Sequence, residues 1–303
     1  MAAASEQRPL GATPLIDIIS PAQNLVVLDH TDSVNDALLR LAQFGIQSAP
    51  VYNRLTDQFL GSVDVMDMVE FVVGASSQSG EADMGEAMKR QFQRPVFDIM
   101  NASDTDPFLP VPTHSRLGEV LHMFYSQGIH RLPLVDSQNN LVGIVSQWDI
   151  VNFLNEHKGR HELVRQMSKS LFELDLAPGK VVSVSHRATL KDCFTAIMGY
   201  KISGVAVVDE GGHLVGTISA SDLKGVTQEN FITLGLPVAD FLKVRHKEGA
   251  LSCVREATLG QVVAVVARTG LHRVFVIDAA QKPISVVTLT DILRLVSHHL
   301  PTH

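Results

Sequence analysis

The chain has 303 residues, 45% of them hydrophobic, and carries 25 lysines and arginines against 32 aspartates and glutamates, a net charge of −7. That length corresponds to about two domains of roughly 150 residues, and the apolar content is that of a packed globular protein. An acidic balance with no basic block and no aromatic–basic interleaving argues against nucleic acid as a partner.

Residues 1–13 are read as a disordered start. MAAASEQRPL has no positive stretch followed by an apolar one, so it does not read as a signal peptide. The first predicted elements follow. LVVLD is a short strand, and Asp29 to Asp32 turn the chain into a helix with Val34, Ala37, Leu38 and Leu41 on one face. IQSAPVY and FLGSV are strands around the polar turn NRLTDQ. Gly74 to Pro95 then divides in two. Its front half is Gly/Ser-rich and acidic and reads as a flexible loop; its back half carries Met84, Met88 and Phe92 at helical spacing.

The same succession returns three times. Leu117, Val120, Leu121 and Phe124 precede IHRLPLV and LVGIV around DSQNN. Leu190, Cys193, Phe194 and Ile197 precede ISGVAVV and LVGTIS around DEGGH. Leu259, Val262, Val263 and Val266 precede LHRVFVI and ISVVTL around DAAQKP. Each copy closes on an aspartate: Asp67, Asp149, Asp222 and Asp291 lie 33, 32, 32 and 32 residues after the first apolar residue of their helix. A register held this closely means one supersecondary unit used four times. The fold class is therefore α/β (α+β), built from β–α–β–β–α repeats. Each repeat alone would leave an apolar sheet face open, so neighbours are expected to pack sheet against sheet, as modules of about residues 14–158 and 168–300.

No apolar run reaches the ~18 residues of a membrane span. Cys193 and Cys253 lie in apolar settings without metal-ligand spacing and read as buried thiols in a reducing compartment. A cytoplasmic protein, also found in the nucleus, is the expectation. No P-loop, nucleophile elbow or metal cluster is visible, so no catalytic residue, no metal ligand and no enzymatic activity are assigned.

The copies differ in their polar residues. Hydroxyls precede the aspartate in Ser146-Gln147-Trp148-Asp149, Ser219-Ala220-Ser221-Asp222 and Thr288-Leu289-Thr290-Asp291, whereas the first copy has Asp64-Val65-Met66-Asp67. Such an aspartate can cap the following helix; equally, it can accept the hydroxyls of a ribose while the hydroxyl three residues earlier holds a phosphate or sugar oxygen. The starts of the middle strands differ more sharply. The second and fourth copies have His130-Arg131 and His272-Arg273, the first Gln47-Ser48 and the third Ser203-Gly204. Arginine offers a planar donor fork and histidine gains proton affinity beside an anion, so the repeated pair points to a phosphate-bearing ligand.

Strand, helix, strand, G-x-(V/I)-(S/T)-x-x-D and helix resembles the CBS (cystathionine-β-synthase) domain. LVVLDHTDSVNDALLRLAQFGIQSAPVY, GIHRLPLVD, MSKSLFELDL and ALSCVREATLGQVVAVVARTGLHRVFVID through TLTDILRLV are similar to the γ subunits of AMP-activated protein kinase, over about Pro14 to His298. The resemblance implies CBS domains at 14–73, 96–158, 168–231 and 236–300 with a linker at 74–95. It further implies two Bateman modules forming a disk that binds AMP, ADP or ATP near its centre. It places Asp67, Asp149, Asp222 and Asp291 at ribose positions and turns His130, Arg131, His272 and Arg273 toward phosphates. Ser146, Ser203, Ser219, Thr288 and Thr290 serve as polar helpers, and adenine is read around Val182 and Ile202. Two departures stand out: Gln47-Ser48 lacks the family's basic residue, and Trp148-Asp149 restores an aspartate where the family tends to have basic residues. The implied function is a regulatory subunit that senses adenine nucleotides for a kinase catalytic subunit and a β-type scaffold subunit. The alternatives are a stand-alone CBS interaction protein, self-associating as a homodimer, and a γ-like scaffold whose sites have decayed.

Overall fold

A helix of ten residues or so needs its free N-terminal amides satisfied, and each repeat supplies the cap from its own sequence. Ser33 Oγ accepts the Asp36 amide at 3.1 Å, Thr189 Oγ1 the Asp192 amide at 3.1 Å and Thr258 Oγ1 the Gln261 amide at 3.3 Å. In the second repeat the polarity reverses, and the Glu119 carboxylate accepts the Arg116 amide at 2.9 Å. This geometry comes from a computed structural model that describes residues 8–20, 23, 25–78, 84–176, 180–246 and 249–300.

The first repeat contains β1 (Leu28–Asp29), α1 (Val34–Gln43), β2 (Ser48–Asn53), β3 (Gln58–Asp64) and α2 (Val65–Gln78), followed by α3 (Met84–Phe92). The second contains β4 (Val111–Pro112), α4 (Leu117–Ser126), β5 (Arg131–Val135), β6 (Leu141–Ser146) and α5 (Gln147–Glu156), with α6 (His161–Met167) after it. The third contains β7 (Ser183–Ser185), α7 (Leu190–Gly199), β8 (Gly204–Val208) and β9 (Leu214–Ser219), then a 3-10 helix over Ala220–Gly225 and α8 (Val238–Val244). The fourth contains β10 (Ser252–Cys253), α9 (Leu259–Thr269), β11 (Arg273–Ile277), β12 (Pro283–Thr288) and α10 (Leu289–Ser297). Every repeat folds into a three-stranded sheet in which the first two strands are parallel and the last two antiparallel. The parallel pair requires a crossover, and the capped helix is that crossover.

The chain divides into two compact units of alternate repeats. Unit 1 is Met1–Leu25, Phe108–Lys180 and Leu251–His303; unit 2 is Val26–Pro107 and Val181–Ala250. Unit 2 buries the predicted stripes of α1 and α7 together with Met88 and Phe92 of α3 in one core. Unit 1 buries those of α4 and α9 with Leu10 and Leu15. All four stripes read from the sequence are thus inside. A fully buried phenylalanine or leucine contributes about 1.5–3 kcal/mol, so these stripes are a large part of what holds each unit.

The grouping differs from the expected modules 14–158 and 168–300. Within unit 2, α2 packs on α7 and on the Ala220–Gly225 turn; within unit 1, α10 packs on α4 and α5, and α5 on α9. Helix faces join the second repeat to the fourth and the first to the third. Periodicity identifies an apolar stripe but not the stripe it meets. Two further expectations change. In place of a disordered start, Leu10–Ala12 forms a 3-10 turn with Leu10 only 2% exposed; residues 1–7 lie outside the described residues. In place of a loop from Gly74, α2 continues to Gln78, and α3 is the short helix expected around Met84, Met88 and Phe92; residues 79–83 lie outside the described residues.

Cys193 is buried and Cys253 half-buried, and burial pushes their thiols up to about 12 and about 11. Neither is a reactive thiolate. Among the described residues no helix is long and apolar enough to cross a membrane, and no group of three or more histidines, cysteines or carboxylates could hold a metal ion.

Candidate functional site

In each repeat the hairpin register sets the polar positions side by side. Arg131 pairs with Ser146, Arg273 with Thr288, Gly204 with Ser219 and Ser48 with Asp64. One residue further on, an amide closes the corner. Gln147 N–H donates to His130 O at 3.0 Å, Leu289 to His272 O at 3.2 Å, Ala220 to Ser203 O at 3.1 Å and Val65 to Gln47 O at 2.9 Å. The histidines therefore stand just ahead of their strands, at the corner, rather than within them. A strand start, a strand end and a helix start meet at one place in every repeat.

The aspartates cap the helices that begin there. Asp149 Oδ2 accepts the Ser146 amide at 2.8 Å and its hydroxyl at 2.6 Å, while Asp149 N–H donates to Ser146 Oγ at 3.2 Å. Asp291 Oδ2 does the same for Thr288, at 2.9 and 2.6 Å. Asp222 Oδ2 accepts from Ser219 at 2.8 and 3.0 Å, and Ser221 Oγ lies 2.8 Å from Ser219 Oγ. The capping role is real in all three. It engages Oδ2, and an ionised carboxylate has about four acceptor positions, so a cap and a second donor are compatible.

Unit 1 concentrates the groups suited to an anion. It holds His130, Arg131, Ser146 and Asp149 at one corner and His272, Arg273, Thr288, Thr290 and Asp291 at the other. Both corners open genuine α-helices, of 10 residues in α5 and 9 in α10, whose N-terminal dipoles favour negative charge. The corners also touch each other. Gln147, 4% exposed, donates from Nε2 to Ile129 O at 3.0 Å and to Thr290 Oγ1 at 3.1 Å. One buried amide thus ties the strand start carrying His130 to the helix start carrying Thr290.

Unit 2 holds Asp67, Val182, Ile202, Ser203, Ser219 and Asp222. Val182 and Ile202 pack against its core, with Val182 O accepting the Ala206 amide at 3.0 Å and Ile202 N–H donating to Ile197 O at 3.1 Å. These two backbone groups serve the sheet and the helix end. The third repeat's corner opens a six-residue 3-10 turn rather than an α-helix. In the first repeat Asp64 takes the hydroxyl's place: Asp67 N–H donates to Asp64 Oδ1 at 2.9 Å and Asp64 N–H to Asp67 Oδ2 at 3.0 Å. Asp67 is 3% exposed, and burial pushes its carboxyl up against the hydrogen bonds that lower it. A cation enters this unit from the third repeat: Lys224 Nζ donates to Ile46 O at 3.0 Å, beside Gln47.

Sequence reading missed Gln147, Lys224 and the Ser103 segment that covers Asp67. Gln147 was legible, since Val65, Ala220 and Leu289 are apolar at its position. Lys224 and Ser103 have no such signal.

The family described as "CBS domain" matches residues 96–156, 175–228 and 246–298. The human "5'-AMP-activated protein kinase subunit gamma-3" is 23% identical over 92% of this chain and 58% of its own length. The Dictyostelium discoideum "5'-AMP-activated protein kinase subunit gamma" is 25% identical over 92% of this chain and 50% of its own. The chain therefore spans little more than half of these relatives, though it covers 94% of the Saccharomyces cerevisiae γ subunit, at 22% identity. Among solved structures, a Methanocaldococcus jannaschii protein considered a candidate archaeal homologue of the kinase γ subunit superposes with a TM-score of 0.74. It is 14% identical, over 93% of this chain and 99% of that one, a likeness of fold.

Proposed function

The chain belongs to the CBS-domain family, and from that premise we propose that it is a regulatory subunit that binds adenine nucleotides and adjusts a kinase of the AMP-activated type. The observation that carries the reading is the composition of unit 1. Two His-Arg pairs stand beside two hydroxyl–carboxylate caps, each at the N-terminus of an α-helix. Arginine and the helix dipole suit phosphate, and the carboxylate suits ribose hydroxyls. AMP, ADP and ATP share both features. In this reading Asp149 and Asp291 accept ribose hydroxyls, with Ser146, Thr288 and Thr290 holding neighbouring oxygens. His130, Arg131, His272 and Arg273 carry the phosphates. In unit 2, Asp222, Ser219 and Ser203 offer a weaker third position near Val182 and Ile202. The names of the γ relatives point to the other subunits of such a kinase as partners, which the family resemblance makes a catalytic subunit and a β-type scaffold subunit.

Ligand binding in unit 1 would favour one arrangement of the Gln147–Thr290 contact, and a partner sensitive to that arrangement would feel the ligand. Calorimetric titration with AMP, ADP, ATP and adenosine tests the reading. Saturable binding of at least one nucleotide below millimolar concentration, weaker for adenosine, is the expected result. Absence of binding for all three nucleotides overturns it, and a self-associated chain that copurifies with no kinase supports a stand-alone interaction protein.

A further inference from the structure

In the second and fourth repeats Asp149 and Asp291 accept hydrogen bonds from their own turns; in the first repeat Asp67 also meets a second piece of chain. Asp67 Oδ1 accepts the Ser103 amide at 3.0 Å and the Ser103 hydroxyl at 2.7 Å. The Thr105 hydroxyl lies 2.7 Å from Ser103 Oγ, and since Ser103 gives its hydrogen to Asp67, Thr105 is the donor of that pair. Asp67 Oδ1 thus receives two donors from this strip, an amide and a hydroxyl, where a ribose would present two hydroxyls.

The segment is shaped to reach this position. Asn101, Asp104 and Asp106 all have left-handed backbones, at φ 59°, 51° and 52°. Asparagine and aspartate tolerate that region better than other side chains, and it persists only where the surroundings hold it. Ala102 N–H donates to Ile99 O at 3.1 Å and Asp104 N–H to Asn101 O at 3.1 Å, so two tight turns fold the strip. Its end, Asp106, is 8% exposed and its charge acts on Asp67, so that with Asp64 it makes a third buried carboxyl at this corner. Asp64, 5% exposed, stands where Ser146 and Thr288 stand in unit 1, the position expected to hold a phosphate or sugar oxygen. A phosphate there would meet carboxylate rather than hydroxyl.

We propose that Asn101–Asp106 is a built-in occupant of the first repeat's corner, holding Asp67 in place of a ribose and leaving nucleotide to the other repeats. The proposal rests on the nucleotide-binding reading for its consequence but not for the contact itself, so the two are tested separately. Amide hydrogen exchange of the free full-length chain reads the contact. The Ser103 amide is expected to exchange at least 100-fold more slowly than in an unstructured peptide. Exchange within tenfold of that peptide's rate overturns the proposal whether or not any nucleotide binds. The same measurement in millimolar AMP reads the consequence. Peptides spanning Asp149 and Asp291 are expected to slow at least tenfold, while those spanning 64–67 and 101–106 stay unchanged. Faster exchange at 101–106, meaning displacement by AMP, or slower exchange at 64–67 overturns the proposal. Unchanged exchange at every peptide, with a protected Ser103, overturns the nucleotide reading and leaves the occupied corner standing.

Discussion

Unit 1 and unit 2 are built from one repeat, with the same strands, the same closing amide and the same capping aspartate, yet their corners have opposite character. Unit 1 has a His-Arg pair at each corner and a neutral amide, Gln147, joining them. Unit 2 has Gln47-Ser48 and Ser203-Gly204, two buried aspartates in the first repeat and a lysine as its cross-tie. In the sequence these differences alternate, even against odd. Because alternate repeats share a unit, alternation along the chain becomes segregation in space. One repeated unit supplies the scaffold, and the packing of the copies sets which polar residues share a unit.

The comparison breaks most visibly at the arginines. Replacing both Arg131 and Arg273 with alanine should weaken AMP about 100-fold, on the basis of roughly 1.5–3 kcal/mol for a hydrogen bond to a charged group. Adenosine should change less than about threefold. Equal losses in titration would make these arginines structural and the two units alike in function. The next effect is on the cross-tie. Gln147→Leu copies the apolar residue found at Leu289 and strips Thr290 and Ile129 O of a partner, which should cost about 2 kcal/mol in denaturant unfolding. A double-mutant cycle with Thr290→Val should show coupling of at least about 0.5 kcal/mol; additivity would mean the corners of unit 1 are independent.

A smaller effect separates the caps. Ser146→Ala should cost about 1 kcal/mol, the usual loss on removing an N-cap, with ligand binding in unit 1 reduced as well. Asp64→Ala should cost stability alone and leave AMP titration unchanged, sharpening the contrast between units. The smallest effect is in pH. Burial raises the Asp67 carboxyl, so the folded chain holds this proton more tightly than the unfolded chain does. Its contribution is present below the unfolded value of 3.8 and lost as pH rises through the raised folded value. Relative to Asp67→Asn, the natural chain should therefore gain melting temperature on acidification through that window, and a flat difference would place Asp67 in solvent.

The fold was legible because it rests on local chemistry. Caps such as Thr189 and Thr258, stripes such as Leu190 to Ile197, and the polar hairpin turns each act within a dozen residues. The candidate corners were legible for the same reason, since the hairpin register brings Arg131 to Ser146 automatically. What depended on distant packing was hidden. That α10 meets α4, or that Ser103 reaches Asp67, depends on how stripes and linkers meet after each repeat has formed. The even-numbered His-Arg pairs were visible, but their gathering into one unit was not.

Interleaving also sets the order in which the chain can mature during synthesis. Unit 2 needs Val26–Pro107 and Val181–Ala250, and unit 1 needs Phe108–Lys180 and Leu251–His303. As the chain leaves the ribosome, the first repeat's stripe emerges long before α7, and the second repeat's stripe waits for α9. Loop-closure entropy grows only slowly with length, so the delay costs little in final stability. It does leave apolar faces uncovered while the chain grows, the condition that recruits chaperones and invites aggregation. A chain stopped at residue 158 would contain half of each unit and the whole of neither.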